Sequence, residues 1–190
     1  QRFGHEFNPG PNEAENFGLP VDQITLPQAL KSAGYATCMV GKWHLGDRSP
    51  SLPNDMGFDS YFGAHYSNDM KPFALYANRD IAVAAPVDQR YLTERYTQAA
   101  TGFIEQHAQA PFFLYFAHNL PHDPLFVRKE RSGTSKAGLY GDVVEELDDS
   151  ECRRLLAKRH LGRLAVPDFG GPVIFPVNYV FDQDLVVFRT

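Results

Sequence analysis

The chain has 190 residues, enough for one ordinary domain or for one domain and part of another. Hydrophobic residues make up 43% and charged residues 22% of the sequence, a composition typical of globular rather than disordered proteins. The net charge of −5 argues against nucleic acid as a partner, and the absence of any run of 18 apolar residues argues against a membrane span.

The two cysteines, Cys38 and Cys152, are far apart in the sequence and could form at most one bridge. No CxxC spacing exists, so zinc or redox chemistry is not indicated. The chain opens with Gln1-Arg2-Phe3-Gly4, without an initiator Met or an apolar signal stretch, so these residues indicate no compartment. Nothing in the sequence indicates an oligomeric state.

Residues 1–24 are rich in Gly, Pro and Asn and are predicted to form an irregular loop. A helix is predicted to begin at Thr25, which has the capping-box spacing with Gln28. Gly34 is suited to the position just after the end of this helix, where a left-handed backbone conformation is common.

A short buried strand is predicted at residues 35–40, leading into a loop that carries Lys42, Trp43 and His44. This placement suits a functional site, because ligands of open α/β sheets bind at the carboxyl ends of the strands. Residues 46–90 contain many Pro, Asp and Asn residues and are predicted to be mainly a long loop.

A second helix is predicted at residues 92–107, where apolar residues recur with a helical period. The continuous apolar run at 111–117 predicts a strand that is covered on both faces. Two helix–strand units in succession favour an α/β fold with a parallel sheet. A third helix is predicted around Val143 and Val144.

The pattern changes after about Asp149, and residues 150–190 alternate short strands with turns. Ser150 is predicted to cap a short helix that contains Cys152. Three strands are then predicted to form an antiparallel meander. They lie at residues 163–166, 173–180 and 185–189, with turns at 167–171 and 182–184.

Three basic side chains are candidates for binding an anion. Lys42 and His44 are two residues apart, so on an extended segment both side chains point the same way. His122 follows the second predicted buried strand. A Lys-x-His pair on a loop can also be merely solvated. His118 and His122 have an H-x3-H spacing, but the intervening Pro121 opposes a helix and no further ligand supports zinc.

The segment at 34–46, which ends in Gly41-Lys42-Trp43-His44-Leu45-Gly46, resembles the sulfatase family together with residues 56–59 and 62–63. The resemblance implies an alkaline-phosphatase-like α/β fold and the hydrolysis of sulfate esters. The nucleophile of the family lies in a Cys-x-Pro-Ser-Arg element, expected shortly upstream of the first residue. Neither Cys38 nor Cys152 stands in such a context.

The resemblance also implies roles for individual residues. Lys42 and His44 would contact the formylglycine nucleophile, and His122 would face the sulfate and the leaving-group oxygen. Ser67 matches a serine of the active-site wall in arylsulfatase-like members. A turn-forming role within Ser67-Asn68-Asp69 is the alternative for that serine. His118 is expected to be structural.

The family's cation, usually calcium, is held by an Asp pair upstream of the nucleophile and an Asp-Asn pair well downstream. The resemblance covers about residues 1–148, an internal slice of a longer domain, so both pairs are expected to be missing. No metal ligand is therefore assigned, and this incomplete domain is expected to be inactive on its own. Complete sulfatases are often periplasmic, secreted or lysosomal.

The tail resembles the start of flavin-binding split β-barrels related to pyridoxamine 5′-phosphate oxidase. In that family Arg189 and Thr190 would help bind the flavin phosphate, and FMN would be the cofactor of the complete barrel. An ordinary strand end is the alternative for these two residues. The matching residues are 151–156, 162–166, 172–179 and 187–190.

The sequence thus predicts two pieces. Residues 1–149 would be a partial sulfatase domain with a parallel or mixed sheet and flanking helices. Residues 150–190 would be the N-terminal fragment of a split barrel, a truncated antiparallel meander. The leading function is an arylsulfatase-like hydrolase whose substrate is a sulfated small molecule or glycan. The alternatives are an FMN-binding protein and a non-functional chimera.

Overall fold

The computed structural model describes residues 10–11, 18–148, 161–168, 171–182 and 185–189. The chain divides into two compact units, Gln1–Val144 and Glu145–Thr190. The first contains a five-stranded mixed sheet and the second a three-stranded antiparallel sheet, which confirms the predicted α/β class with a separate meander. Most of the predicted N-terminal loop and the predicted helix after Ser150 lie outside the described residues.

The first helix, α1, begins and ends where its capping residues predict. It spans Leu26–Ser32, and the hydroxyl of Thr25 accepts a hydrogen bond from the backbone N–H of Gln28. The Gln28 side chain in turn accepts from the Thr25 N–H at 2.9 Å, which completes the capping box. Gly34 follows the helix with a φ of +85°, as expected for a left-handed terminator.

The sheet of the first unit has a parallel centre and an antiparallel flank. Its order is β4-β3-β2-β1-β5, in which β1 pairs in parallel with both β2 and β5. The pairings of β2 with β3 and of β3 with β4 are antiparallel. The strands are β1 Ala36–Lys42, β2 Ser60–Ala64, β3 Leu75–Ala77, β4 Asp80–Val83 and β5 Phe112–Ala117.

Two predicted boundaries are corrected. Strand β1 runs two residues further than predicted, so Lys42 is its last residue rather than part of a loop. The stretch 46–90, predicted to be mainly loop, contains β2, β3, β4 and a 3₁₀ turn at Gln89–Tyr91. Strands of three to five residues are too short for their side-chain alternation to stand out among Pro, Asp and Asn.

Strand β5 is less covered than its apolar sequence predicted. It lies at the edge of the sheet in the described part of the chain, and Tyr115 is 47% exposed. The prediction that both faces are covered is therefore wrong for the described residues. A run of apolar side chains indicates that a strand needs cover, but it does not specify which segment supplies it.

Helix α2, Leu92–Gln106, packs its apolar stripe on one face of the sheet. Tyr96 and Leu92 are fully buried there against Val40, Cys38 and neighbouring side chains. Met39 lies between Cys38 and Val40 on β1, so its side chain is on the other face of the sheet, where it belongs to a second cluster. The central strand is thus covered on both sides, as buried parallel strands require. A third helix, α3, spans Gly138–Asp148.

Two glycines allow the parallel strands to approach closely at their carboxyl ends. Gly41 on β1 is paired with Gly63 on β2 and with Ala117 on β5. A Cβ atom at Gly41 would overlap with the carbonyl of Ala117, and one at Gly63 would overlap with the backbone of Gly41. Gly41 also has a φ of +115°, which side-chain-bearing residues rarely adopt.

The second unit is the predicted antiparallel meander, with the order β6-β7-β8. Asp168 pairs with Gly171, and Asp182 pairs with Leu185, so the strands continue into the segments predicted as turns. Residues 169–170 and 183–184, at the centres of those turns, lie outside the described residues. The strands are β6 Leu161–Asp168, β7 Gly171–Asp182 and β8 Leu185–Arg189.

Replacing Gly41 by alanine should destabilise the first unit by more than about 3 kcal/mol, because the new Cβ meets backbone atoms that cannot move independently. Urea unfolding followed by the fluorescence of Trp43, the sole tryptophan, measures this change. Gly102→Ala, in the open interior of α2, is the matched control and should be stabilising by about 0.5–1 kcal/mol. Equal effects of the two substitutions would contradict the close-approach explanation.

Candidate functional site

Three segments that follow parallel strands meet at one edge of the sheet. Strands β1, β2 and β5 run in parallel, so their carboxyl ends share an edge. Pairing continues beyond β1, where the backbone N–H groups of Trp43 and His44 donate to the carbonyls of Ala64 and His65 at 3.1 and 2.7 Å. The residues after β1 are therefore held directly beside the residues after β2.

Trp43 anchors the segment that carries the two candidate cations of β1. Its ring is buried among Met39 and Phe58, and its Nε1–H donates to the carbonyl of Ser51 at 2.8 Å. Lys42 and His44, on either side of it, remain partly exposed. The buried indole thus fixes the backbone between two side chains that can reach solvent or a ligand.

His44 occupies a strained backbone conformation. Its φ is +60°, which costs a residue with a Cβ about 1–2 kcal/mol. The bond from its N–H to His65 and the edge-on packing of its ring against Tyr66, with centroids 5.5 Å apart, hold it in place. Strain of this kind is frequent at functional sites.

Buried amide side chains join the segment after β2 to the segment after β5. Asn119 accepts a hydrogen bond from the Tyr96 hydroxyl at 2.7 Å and donates to the carbonyl of Tyr66 at 3.4 Å. Asn68, which is fully buried, donates to the carbonyl of Pro124 at 3.0 Å. These bonds fix the relative positions of the two segments, because a buried amide that loses its partner is costly.

Ser67 and His122 meet across this junction. The Ser67 hydroxyl is buried, and its Oγ lies 3.4 Å from Nε2 of the exposed His122 ring. Nδ1 of His122 lies 2.6 Å from the carbonyl oxygen of Asp123. The geometry therefore brings two of the residues selected from the sequence into contact.

Asp69 links these residues to Lys42 electrostatically. Partial desolvation alone would raise the pKa of Asp69, but hydrogen bonds from Ser67 and from its own backbone outweigh this effect. The positive charges of His122 and Lys42 add to them, and the net result is a lowered pKa. Lys42 and His122, 80 positions apart in sequence, thus act on one carboxylate.

His118, which is expected from the sequence to be structural, is half-buried, and its Nε2 is buried. Its Nδ1 accepts a hydrogen bond from the backbone N–H of Leu120 at 2.9 Å, and its ring packs edge-on against Tyr96. Burial lowers its pKa to about 4, so the ring is neutral at physiological pH.

A small cavity adjoins Ser67. It has a volume of about 110 Å³, and its polar lining includes Asp47, His65, Tyr66 and Ser67. The His65 ring is stacked on Tyr76 with centroids 3.9 Å apart, and its buried Nε2 has no hydrogen-bond partner among the described residues. Burial lowers the pKa of His65 to about 4, an effect that Asp47 partly offsets.

The tail residues assigned to flavin phosphate binding are only partly described. Arg189 is the last residue of β8, where it pairs with Asn178 of β7. Thr190 lies outside the described residues. The role of both residues stays a prediction.

Comparison with known proteins identifies two families along the chain. Residues 1–150 match the family model described as Sulfatase. Residues 148–190 match the model described as Pyridoxamine 5′-phosphate oxidase. Both resemblances predicted from the sequence are therefore confirmed, and the two matches meet near residue 149.

Individual relatives agree with the longer match. The N-acetylgalactosamine-6-sulfatase of Mus musculus is 39% identical over 162 residues, which cover 76% of this chain and 31% of that protein. The arylsulfatase of Hemicentrotus pulcherrimus is 38% identical over 156 residues, covering 70% and 28%. A solved structure, Ps i-CgsB in complex with k-i-k-neocarrahexaose, has a TM-score of 0.63 at 27% identity, covering 77% and 38%.

The chain belongs to the sulfatase family, whose members are hydrolases. It spans about a third of the length of the curated relatives that it matches.

The family is generally metal-dependent, but no group of three or more His, Cys, Asp or Glu side chains within the described ranges is arranged to hold a metal. The described residues therefore do not fit a metal site. None of the described helices is long and apolar enough to cross a membrane.

Sequence reasoning missed the residues that support the site. Tyr96, Asn68 and Asn119 were not selected, although Asn119 is the second residue after the apolar run of β5. Asp69 was noted only as part of a turn-forming cluster. A polar residue close to the end of an apolar strand was the available signal for Asn119, whereas the partners of Tyr96 depend on how α2 packs.

Acidification should destabilise the first unit through two histidines, His65 and His118, whose pKa values are lowered by burial. In the folded protein the pKa values of His65 and His118 are about 4, whereas the ordinary value is 6.5. Between pH 4 and pH 6.5 the unfolded chain therefore binds more protons than the folded protein does. The free energy of unfolding should fall by up to about 1.4 kcal/mol per pH unit for each histidine as the pH decreases from about 6.5 to 4.5. Urea unfolding monitored by Trp43 fluorescence measures the slope.

His118→Asn keeps an acceptor for the Leu120 N–H and removes one titrating ring. The variant should lose part of the pH dependence, while His65 maintains the rest. An unchanged slope would contradict the assignment of a neutral His118 with a lowered pKa.

Proposed function

We propose that residues 1–149 are part of a sulfatase domain and supply the cationic edge of a site that hydrolyses sulfate esters. The observation that supports this proposal is the 3.4 Å contact between Ser67 and His122 at the carboxyl edge of the parallel strands, the edge at which Lys42 ends β1. Lys42 is the last residue of β1, Ser67 follows β2 and His122 follows β5. Strands are rigid supports for a group of functional side chains.

The proposed chemistry follows from the charges. A sulfate ester that breaks its S–O bond concentrates negative charge on the sulfuryl oxygens and on the leaving oxygen. In the proposed site Lys42 and His44 neutralise charge on the sulfuryl side. His122 donates a proton from Nε2 to the leaving oxygen, as a general acid. Ser67 forms the wall that orients His122.

The substrate is proposed to be a sulfated glycan. The mouse relative is named for its action on N-acetylgalactosamine 6-sulfate, and the solved neighbour was crystallised with a carrageenan-type hexasaccharide. In this chain the cavity beside Ser67 offers polar groups, including the unpartnered Nε2 of His65, that suit sugar hydroxyls. Calcium and the formylglycine nucleophile would complete such a site in the whole domain.

Sulfate should bind weakly to the 190-residue polypeptide at this edge. Removing one cation, in Lys42→Ala or His122→Ala, should weaken sulfate binding by about tenfold, because a charge-assisted contact contributes roughly 1.5 kcal/mol. An NMR titration with sodium sulfate at constant ionic strength measures the affinity. Lys129→Ala, an exposed lysine outside the site, is the control and should bind as the wild type does. Equal affinities of all four proteins would refute the site.

The 190-residue polypeptide should not hydrolyse a chromogenic aryl sulfate in the presence of calcium. Nucleophile, metal and cationic residues act as one unit, and activity is lost when one member is missing. The 190 residues contain no Cys-x-Pro-Ser-Arg element. Lys42→Ala/His44→Ala is the background control. Calcium-dependent turnover above that control would show that a different side chain of the polypeptide serves as the nucleophile.

A second candidate function rests on the tail. We propose that residues 150–190 are the N-terminal fragment of a flavin-binding split barrel, supported by the family match at 148–190 and the antiparallel meander. Arg189 and Thr190 would contact the FMN phosphate in the complete barrel. Quenching of FMN fluorescence by the polypeptide would favour this function.

A further inference from the structure

The cavity beside Ser67 has a polar group in its wall that the described part of the protein leaves unsatisfied. Only 8% of His65 is exposed, and its ring forms part of the cavity lining. Its Nε2 is buried and has no hydrogen-bond partner among the described residues. A buried nitrogen without a partner is costly, so a ligand that supplies the missing bond recovers that cost.

The His65 ring is held in one orientation by stacking. It lies against Tyr76 with ring centroids 3.9 Å apart and an interplanar angle of 13°. The carbonyl of His65 also accepts the hydrogen bond from the His44 N–H that joins the segment after β1 to the segment after β2. The position of His65 relative to the carboxyl edge of the sheet is therefore fixed, as a preorganised contact requires.

The cavity is close enough to that edge for one sugar to reach both. Ser67 lines the cavity and also contacts His122, at 3.4 Å. His65 and Ser67 are two residues apart, which is about 7 Å at most along the backbone. The cavity volume of about 110 Å³ accommodates roughly three groups of the size of a water molecule, at about 30 Å³ each. It therefore suits a substituent of the sugar rather than the whole ring.

The charges around the cavity favour an uncharged group. Its described lining includes Asp47 but no Lys or Arg. Burial lowers the pKa of His65 to about 4, so this ring is neutral at physiological pH. An anion in the cavity would meet the negative charge of Asp47, and the described lining supplies no positive charge to offset it.

A hydroxyl group can pair with a neutral histidine in either tautomer. Nε2 of His65 donates a hydrogen bond if it carries the ring proton, and it accepts one if Nδ1 carries the proton. A hydroxyl can accept or donate, whereas a sulfate or carboxylate oxygen can only accept. The unsatisfied nitrogen thus fits a sugar hydroxyl better than it fits a second acidic group.

We propose that His65 is a specificity-determining residue whose Nε2 binds an uncharged hydroxyl of the sulfated sugar, while the sulfate lies at the edge with Lys42 and His122. This role rests on the proposed function, in which that edge binds the sulfate. The cavity then selects sugars with a free hydroxyl near the sulfate, and it disfavours sugars with a second sulfate at that position.

NMR titrations of the full chain with ¹⁵N-labelled histidine test this role. The two probes are inorganic sulfate and galactose 6-sulfate, at neutral pH and constant ionic strength. His65→Phe keeps an aromatic ring to stack on Tyr76 and removes both ring nitrogens. His107→Phe is the matched control, because His107 also packs against an aromatic ring, that of Phe103, but lies between α2 and the amino end of β5.

Galactose 6-sulfate should shift the ring resonances of both His65 and His122, and inorganic sulfate should shift those of His122 alone. His65→Phe should weaken the binding of galactose 6-sulfate about fivefold, the effect of one lost hydrogen bond, without changing the affinity for inorganic sulfate. His107→Phe should change neither affinity.

Two results would overturn the role of His65. The first is a shift of its resonances by inorganic sulfate, because the cavity would then bind anions. The second is an unchanged affinity of His65→Phe for galactose 6-sulfate. If that variant does not fold, the wild-type spectra decide, and unshifted His65 resonances with bound galactose 6-sulfate refute the proposal.

The outcomes also separate this role from the proposed function. If inorganic sulfate binds with the expected dependence on Lys42 but His65→Phe has no effect, only the role of His65 is refuted. If galactose 6-sulfate shifts His65 and Lys42→Ala leaves its binding unchanged, the hydroxyl site stands and the proposed function fails. If neither probe binds, both are refuted.

Discussion

The close approach of strand β1 to its two parallel neighbours is the constraint on which the rest of the first unit depends. Gly41 lies against Gly63 on one side and Ala117 on the other, at distances that leave no space for a Cβ atom. This contact occurs one residue before Lys42. The segments that follow the three strands therefore leave the sheet side by side, and residues distant in sequence meet over a small area.

Different forces hold the supporting residues and the exposed ones. Tyr96, Asn119 and Asn68 form buried hydrogen bonds that fix the segments after β2 and β5, and Trp43 anchors the segment after β1. Buried polar contacts of this kind are specific, because each partner is costly to leave unpaired. Lys42 and His122 are instead placed at the solvent boundary, where their charges act through space on Asp69. This division gives a rigid frame with accessible cations.

The chain matches the sulfatase model over residues 1–150 and the pyridoxamine 5′-phosphate oxidase model over residues 148–190, so the two matches meet near residue 149. The sulfatase part contains a mixed sheet with its own core, and the chain spans about a third of the length of its curated relatives. The tail forms a separate antiparallel sheet.

The sequence by itself determined the family, the α/β class, the capping of α1, the main extent of α2 and the antiparallel tail. These features depend on local signals, namely a capping pair, a helical period, strand alternation and a specific motif around Lys42 and His44. It also selected His122, which follows the predicted strand at 111–117, and Ser67, which matches a serine of arylsulfatase-like members. Only the tertiary structure decided that β5 lies at an edge of the described sheet and that 46–90 contains three strands. Only the tertiary structure shows the hydrogen bond from the Tyr96 hydroxyl to Asn119. The same is true of the electrostatic effect of Lys42 and His122 on the Asp69 carboxylate. Those contacts join residues that are 23 to 53 positions apart in the sequence. No local pattern specifies such pairings, because they depend on how the strands and α2 pack together.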